Sequence, residues 1–163
     1  MTTVDRSDHT LLLRPHWAQY CIKELPWLFI CIVMLIGFRM NWLLIGEAFL
    51  LIAAFILTFL ICQGIAVARV RYFITDEQII YRHGILHRET DFMELYRVID
   101  YQEDRTFMQQ IAGLKTVIIF STDRSSPRLN IIGQRSGFDL ISEIRWRVEL
   151  NKQRKGIHEI TNR

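Results

Sequence analysis

Hydrophobic and polar positions divide the chain into two unlike regions. Between Leu25 and Ala68 the only charged side chains are Arg39 and Glu47, whereas charges are interspersed through the rest of the sequence. Apolar runs approaching or exceeding 20 residues are typical of membrane-spanning helices. This pattern predicts a helical hairpin over residues 20–68. The two predicted helices cover about residues 22–40 and 42–68.

Basic residues around the two apolar runs predict the orientation of this hairpin. Arg14 and Lys23 precede the first run, Arg69 and Arg71 follow the second, and the connecting turn carries only Arg39. Lys and Arg concentrate on the cytoplasmic side of membrane proteins. We therefore expect a multi-pass protein of the cytoplasmic (inner) membrane with both termini in the cytoplasm. Lys23, Arg69 and Arg71 are candidate contacts for lipid headgroups.

Two polar side chains within the second run are candidate partner contacts. Glu47 lies about one turn into the predicted helix. It is either an interfacial or paired structural residue, with Arg39 as its partner, or a contact with another subunit. Gln63 favours a hydrogen bond between helices over a transport ligand.

After Ala68 the pattern changes to that of short strands. "VRYFIT" and "QIIYR" are rich in β-branched and aromatic residues and flank a turn at "DE", and "ILHRETDFM", "RVIDYQED", "KTVIIFST" and "RLNIIG" continue the series. In "RVIDYQED" the alternation leaves the buried face undecided. "TFMQQIAG" predicts a short helix with Thr106 as its N-cap and Gly113 as its stop.

The last element predicted is an amphipathic helix in "GFDLISEIRWRVELNKQRK". Its apolar stripe consists of Phe138, Ile141, Ile144 and Val148. Trp146 lies off this stripe and is either a partner or membrane-surface anchor or a side chain folded over the rim of the sheet. We expect a mostly-β, small α+β barrel or sandwich capped by this C-terminal helix.

The ordered set "YFIT-DE", "QIIYRHGILHRET" and "ELYRVIDYQEDRTFMQQIAGLKTVIIFST" resembles the bacterial pleckstrin-homology-like (PH) domain of small membrane proteins. The resemblance covers roughly residues 69–150. It implies two nearly orthogonal sheets capped by the C-terminal helix, and transmembrane helices leading into the first strand. The expected organisation is a cytoplasmic segment (residues 1–19), the hairpin (20–68), a cytoplasmic PH-like domain (69–152) and a tail (153–163).

The remaining composition indicates no enzyme. The sequence has no GxGxxG, Walker, HExxH or GxSxG motif, and no nucleophile–base pair stands out. His83 and His87 flank a turn rather than share a helix face, and the three cysteines form no CxxC pair, so we expect no metal site and no cofactor. A net charge of +3 of mixed sign excludes a nucleic-acid footprint.

Three functions are compatible with a small domain attached to two apolar helices. The first, which we expect, is a membrane-anchored interaction module: a scaffold, accessory or assembly subunit that contacts other membrane protein subunits. The alternative is a lipid-headgroup binding protein, but the first hairpin loop, Thr75-Asp76-Glu77, is acidic and would repel a phosphate. A transport role would rest on Glu47 alone. The sequence does not decide whether the chain self-associates.

Overall fold

The computed structural model describes residues 3–5, 10–39, 46–124 and 126–156. These residues form two long helices, two sets of antiparallel strands and two shorter helices. The elements are β1 (Thr3–Asp5), β2 (Thr10–Leu13), α1 (Trp17–Arg39), α2 (Gly46–Arg69), β3 (Arg71–Ile74), β4 (Gln78–His83), β5 (Glu89–Glu94), a 3₁₀ turn (Leu95–Arg97), β6 (Val98–Asp104), α3 (Phe107–Ile111), β7 (Leu114–Ser121), β8 (Arg128–Arg135) and α4 (Leu140–Arg154).

The strands form two antiparallel sheets that share one hydrophobic core. The first has the order β1-β2-β3-β4-β5, and the second has the order β6-β7-β8. In β2 and β3 alternate residues are buried, as the two-residue period of a strand requires. The largest completely buried side chains come from both sheets, from the 3₁₀ turn and from α4: Leu13, Tyr72, Ile74, Ile79, Met93, Leu95, Leu114, Val117, Ile119, Ile131, Leu140 and Ile144.

Helix α4 packs on the core by the stripe that the sequence predicts. Ile144 and Val148 are buried, and Phe138 and Ile141 pack against the same cluster while partly exposed. The helix starts at Leu140, because the Asp139 carboxylate accepts a hydrogen bond from Ser142 N, 3.2 Å away, and caps the first turn. Phe138 therefore precedes the helix.

Helix α3 begins and ends as predicted. Thr106 accepts a hydrogen bond from Gln109 N, and the Gln109 side chain accepts one from Thr106 N, so the two residues form a capping box. Gly113 then turns the chain into β7 with φ of +64°, a conformation that residues with a Cβ rarely adopt.

Strand β6 carries a bulge that the sequence alternation does not reveal. The pairing register with β7 shifts between Val98 and Asp100. Val98 is buried and Ile99 is exposed, and beyond the bulge Tyr101 packs against the core. The extra residue therefore changes which positions face inward, which a strict two-residue period could not resolve.

Helices α1 and α2, called here the apolar hairpin, pack antiparallel. Tyr20 donates a hydrogen bond to Leu60 O, 2.7 Å away, while the Cys31 thiol lies 3.9 Å from Ala53 O further along. Both helices are long and apolar enough to cross a membrane. Helix α1 begins at Trp17, five residues before the predicted start, and ends at Arg39. The rest of the predicted turn, residues 40–42, lies outside the described residues.

The N-terminal segment contributes to the first sheet, which the sequence did not predict. Strand β2 pairs with β3 in the register Leu11 to Ile74 and Leu13 to Tyr72. Leu11 and Leu13 are buried in the same core as Tyr72. The folded domain therefore starts before the apolar hairpin rather than at residue 69.

Candidate functional site

The apolar hairpin is inserted between two neighbouring strands of one sheet. Helix α1 begins four residues after β2 ends at Leu13. Helix α2 ends at Arg69, two residues before β3 begins at Arg71. Because Leu13 and Tyr72 are paired, both helices leave the sheet at the same end. We call this the hairpin-facing end of the domain.

The start of α1 is held on the second sheet. His16 N donates a hydrogen bond to Gly133 O over 2.9 Å. Gly133 has φ of +66°, and a Cβ there would lie 2.8 Å from Gln19 Cβ, so only glycine permits this approach. The Gln109 amide, which is buried, donates to Gln19 Oε1 and to Thr116 Oγ1, each at 2.9 Å. Helix α3 thus lies beside the first turn of α1.

His16 also shapes this junction electrostatically. Burial, with the nearby positive charge of Arg135 adding to it, lowers the pKa of the His16 imidazole. Its Nδ1 accepts a hydrogen bond from Ala18 N at 3.3 Å, which requires that Nδ1 carry no proton. A neutral His16 therefore satisfies one of the free backbone N–H groups at the start of α1.

The end of α2 is held on the first sheet. Arg69 Nη1 donates to Ile85 O over 3.1 Å, which ties the helix to the turn between β4 and β5. Val70 N donates to Val67 O, and the Val70 side chain is buried in the core. Both ends of the apolar hairpin are therefore attached to the domain by hydrogen bonds.

Arginines line a cleft at the hairpin-facing end, beside the end of α2. The cleft has a volume of about 360 Å³. Its residues are Ala68, Arg69, Arg71, Arg82, His83, Gly84, Arg88, Glu89 and Thr90. We call it the basic cleft, because its lining contains four arginines and only one carboxylate, that of Glu89. The His83 Nε2 lies 3.0 Å from Glu89 Oε2, which places that carboxylate on the histidine.

Two of these arginines lie directly opposite each other. Arg71 on β3 is the register partner of Arg82 on β4. Like charges at opposed positions of an antiparallel pair lower stability. The guanidinium of Arg82 stacks 4.8 Å from the centre of the Phe73 ring, which holds it at the surface. Such a pair is suited to an anionic ligand. The turn at Asp76-Glu77 sets the register of β3 and β4, and this register places Arg82 opposite Arg71. The sequence alone could therefore have identified Arg82 as part of the cleft.

The predicted headgroup contacts only partly converge. The structure brings Arg69 and Arg71 together in the basic cleft, whereas Lys23 lies on α1, where it pairs with Glu24 at 3.7 Å. The Glu24 side chain is buried, a feature that the sequence did not indicate.

The predicted partner contacts within α2 lack the partners expected for them. Glu47 is exposed in the first turn of α2, and within the described part of the chain no ion pair joins it to Arg39. Gln63 is partly buried, but among the described residues the hydrogen bonds between the helices come from the Tyr20 hydroxyl and the Cys31 thiol. Of the alternatives for Glu47, the described residues show no pair with Arg39, and the interfacial position and the subunit contact stay predictions.

Trp146 is exposed on α4, outside the stripe of residues that packs on the core. Its side chain is 56% accessible and borders a small cleft of about 130 Å³ together with Asp76, Arg147, Leu150 and Arg154. More than half of the Trp146 side chain is therefore accessible to a partner, beside the β3–β4 turn that contains Asp76.

The acidic turn at Thr75-Asp76-Glu77 does not face the apolar hairpin. Strand β3 runs away from α2, so this turn lies about 13 Å further along the sheet. It is bound to α4, because Arg147 lies 3.6 Å from Asp76 and Asn151 donates to Asp76 O. It is also not the first hairpin of the sheet, as the sequence suggested, because β1 and β2 already form an antiparallel pair before it. The electrostatic objection to anion binding therefore does not apply at the basic cleft.

Comparison with known families decides the identity of the fold. The sequence pattern of the bacterial PH domain matches residues 25–147, most of the chain. This chain belongs to the bacterial PH-domain family. No curated protein and no solved structure matches it. The match begins inside α1, so the apolar hairpin belongs to the pattern together with the strands of the PH domain. Among the described residues, no three metal-ligating side chains of the PH domain or hairpin converge.

Proposed function

We propose that the protein is a membrane-anchored interaction module whose PH domain is fixed in orientation against the cytoplasmic face of the membrane. The observation that carries this proposal is the insertion of the apolar hairpin between β2 and β3, with hydrogen bonds at both of its ends. A domain attached at two points has little rotational freedom left to lose when it docks a partner.

The same insertion supports an even number of membrane crossings. Strands β2 and β3 are neighbours in one sheet, so the chain must return to the side from which it left. The Lys and Arg residues flanking the helices select the cytoplasm as that side. A reporter fused after residue 163 is expected to be cytoplasmic, and an extracytoplasmic signal would overturn the topology.

The partner that we propose is another membrane protein, held as by an accessory, scaffold or assembly subunit. Trp146 offers an exposed aromatic anchor on the PH domain, and aromatic residues of this kind often dominate interface energetics. Glu47 and Gln63 offer polar groups to neighbouring transmembrane helices.

Site-specific photo-cross-linking in native membranes tests this role. A photoreactive residue at Trp146, Glu47 or Gln63 is expected to capture a membrane protein, whereas one at Ile99, an equally exposed apolar position on β6, serves as the control. Capture at Trp146 but not at Ile99 supports the proposal. If the protein is an isolated monomer in every mild detergent and none of the three positions captures a protein, the proposed role is refuted.

A second candidate function, binding of an anionic lipid headgroup, is favoured by the basic cleft. Four arginines beside the end of α2 would lie at the headgroup level if α2 spans the membrane. The test is native mass spectrometry of the full chain purified with phosphatidylglycerol. Arg71→Gln and Arg82→Gln should each retain less of this lipid, while Arg124→Gln removes an exposed charge elsewhere and should not. Equal retention by all three would exclude the cleft.

A further inference from the structure

Helix α3 has an inverted distribution of polar and apolar side chains. Its polar Gln109 is buried against Gln19 and Thr116, while Phe107, Met108 and Ile111 are exposed. A short surface helix in water normally turns its apolar face inward. An outward apolar face that reaches 72% exposure at Phe107 needs a non-aqueous neighbour.

Two further apolar side chains are exposed at the same end of the domain. Leu86, in the turn between β4 and β5, is fully exposed, and Trp17 at the start of α1 is largely exposed. The backbone of the Leu86 turn is held to the end of α2 by the Arg69–Ile85 hydrogen bond. We call Trp17, Leu86, Phe107, Met108 and Ile111 the apolar rim.

The depth of this rim follows from the length of the helices. A hydrocarbon core of about 30 Å takes about 20 helical residues. Counted back from Arg39 on α1, this distance ends near Gln19, and counted forward from Glu47 on α2, it ends near Val67. Gln19 is the hydrogen-bond partner of α3, and Val67 lies next to the helix end that holds the Leu86 turn.

We propose that the apolar rim is a membrane-contact surface, in which α3 and the β4–β5 turn insert Phe107, Ile111 and Leu86 into the headgroup region of the bilayer beside the apolar hairpin. This inference rests on the proposed membrane anchoring. The bilayer is favoured as the occupant because the rim is continuous with the start of α1 and the end of α2. The arginines of the basic cleft at the same end complement anionic lipid.

The test uses the full chain in vesicles of phosphatidylcholine and phosphatidylglycerol. Nitroxide labels are placed singly at Phe107, Ile111 and Leu86 after the three native cysteines are replaced. Their collisions with oxygen and with a water-soluble nickel complex are then compared. Labels in the rim should meet the nickel complex several-fold less often than a label at Ile99, at the far end of β6 from α3.

A label at Phe55, exposed in the middle of α2, separates the two ways of failing. If Phe55 is in lipid while Phe107 and Ile111 are as accessible to water as Ile99, the rim proposal is overturned and the anchor stands. If Phe55 is also accessible to water, the anchor fails and the rim proposal fails with it.

Hydroxyl-radical footprinting of the unsubstituted chain in the same vesicles gives a readout free of label and cysteine changes. Phe107 is more exposed than Phe92 on β5, at 72% against 53%, so exposure alone predicts stronger modification of Phe107. Contact with the bilayer predicts the reverse order. Stronger modification of Phe107 in vesicles would contradict the proposal.

Discussion

The PH domain should require β2, the strand that precedes the apolar hairpin. Joining Leu13 to Tyr72 through a two-residue Asn-Gly turn would replace the apolar hairpin with a tight connection, because these two residues are already paired. This joined variant keeps residues 1–13, whereas a second variant contains residues 72–163 alone. The comparison isolates β2 and β1, since both variants lack α1 and α2.

The magnitude follows from burial. Leu11 is 3% exposed and Leu13 is completely buried. Burying a leucine side chain contributes about 1.5–3 kcal/mol, so the pair contributes about 3–6 kcal/mol, before any loss of strand hydrogen bonds. Small domains are stable by only about 5–15 kcal/mol. We therefore expect the joined variant to unfold cooperatively and the shorter one to lose most or all of its stability.

Urea unfolding followed by tryptophan fluorescence measures this difference, because Trp146 is the only tryptophan in either variant. In the joined variant, Leu13→Ala should lower the free energy of unfolding by about 2–5 kcal/mol. Leu12→Ala, on the less buried side of β2, is the matched control and should cost less. Equal stability of the joined and shorter variants would refute the assignment of β2 to the core.

Further predictions concern the domain core, one turn and one ion pair. Ile144→Ala, under the capping helix, should lower the free energy of unfolding by about 2–5 kcal/mol. A left-handed backbone costs a residue with a Cβ roughly 1–2 kcal/mol of stability. Gly84→Ala should cost more than this, because its Cβ would overlap the backbone of the β4–β5 turn. Gly113→Ala meets no neighbour and should cost only the conformational part. Lys115 donates to the Glu103 carboxylate at 2.9 Å and lowers the pKa of that group, so its stabilisation is present above pH 4.5 and is lost as pH falls through the lowered pKa. Glu103→Gln should remove this part of the acid dependence, as measured by unfolding across pH.

Each of these changes has a control at an exposed position. Ile99→Ala should change stability by less than about 0.5 kcal/mol, because the side chain is already exposed. Gly137→Ala, with no atom in the way, should be tolerated. Glu149→Gln removes an exposed carboxylate and should leave the acid dependence intact. An effect of Ile144→Ala no larger than that of Ile99→Ala would contradict the packing of α4.

Local signals in the sequence were sufficient for the elements that they specify directly. The Thr106 cap and the Gly113 stop define α3 because both act within one or two turns of the helix. The stripe on α4 was also readable, because a helix buries residues at three- and four-residue spacing. The family resemblance added the division of the strands into two sheets and the C-terminal helix that caps them.

Features that depend on distant pairing were missed. Strand β2 is four residues long, and β3, the partner that joins it to the rest of the sheet, lies beyond the whole apolar hairpin, so its place in the core has no local signal. Gln19 and Gln109 are ordinary polar residues until the fold places one on the other. The basic cleft likewise needs Arg88 and Arg69 from separate elements, and only its Arg71–Arg82 pair follows from a hairpin register.

The insertion of the apolar hairpin within a sheet also sets the order in which the nascent chain can fold. Strand β2 is synthesised before α1 and α2, and β3 only after them. If the helices enter the bilayer as proposed, Leu11 and Leu13 therefore remain without their β3 neighbours during that step. If only one helix crossed, β2 and β3 would emerge in different compartments and the sheet could not close. An open domain of this kind exposes its core strands to proteases. On the topology proposed above, completion of the sheet would therefore report that both helices have crossed the membrane, because the PH domain cannot close otherwise.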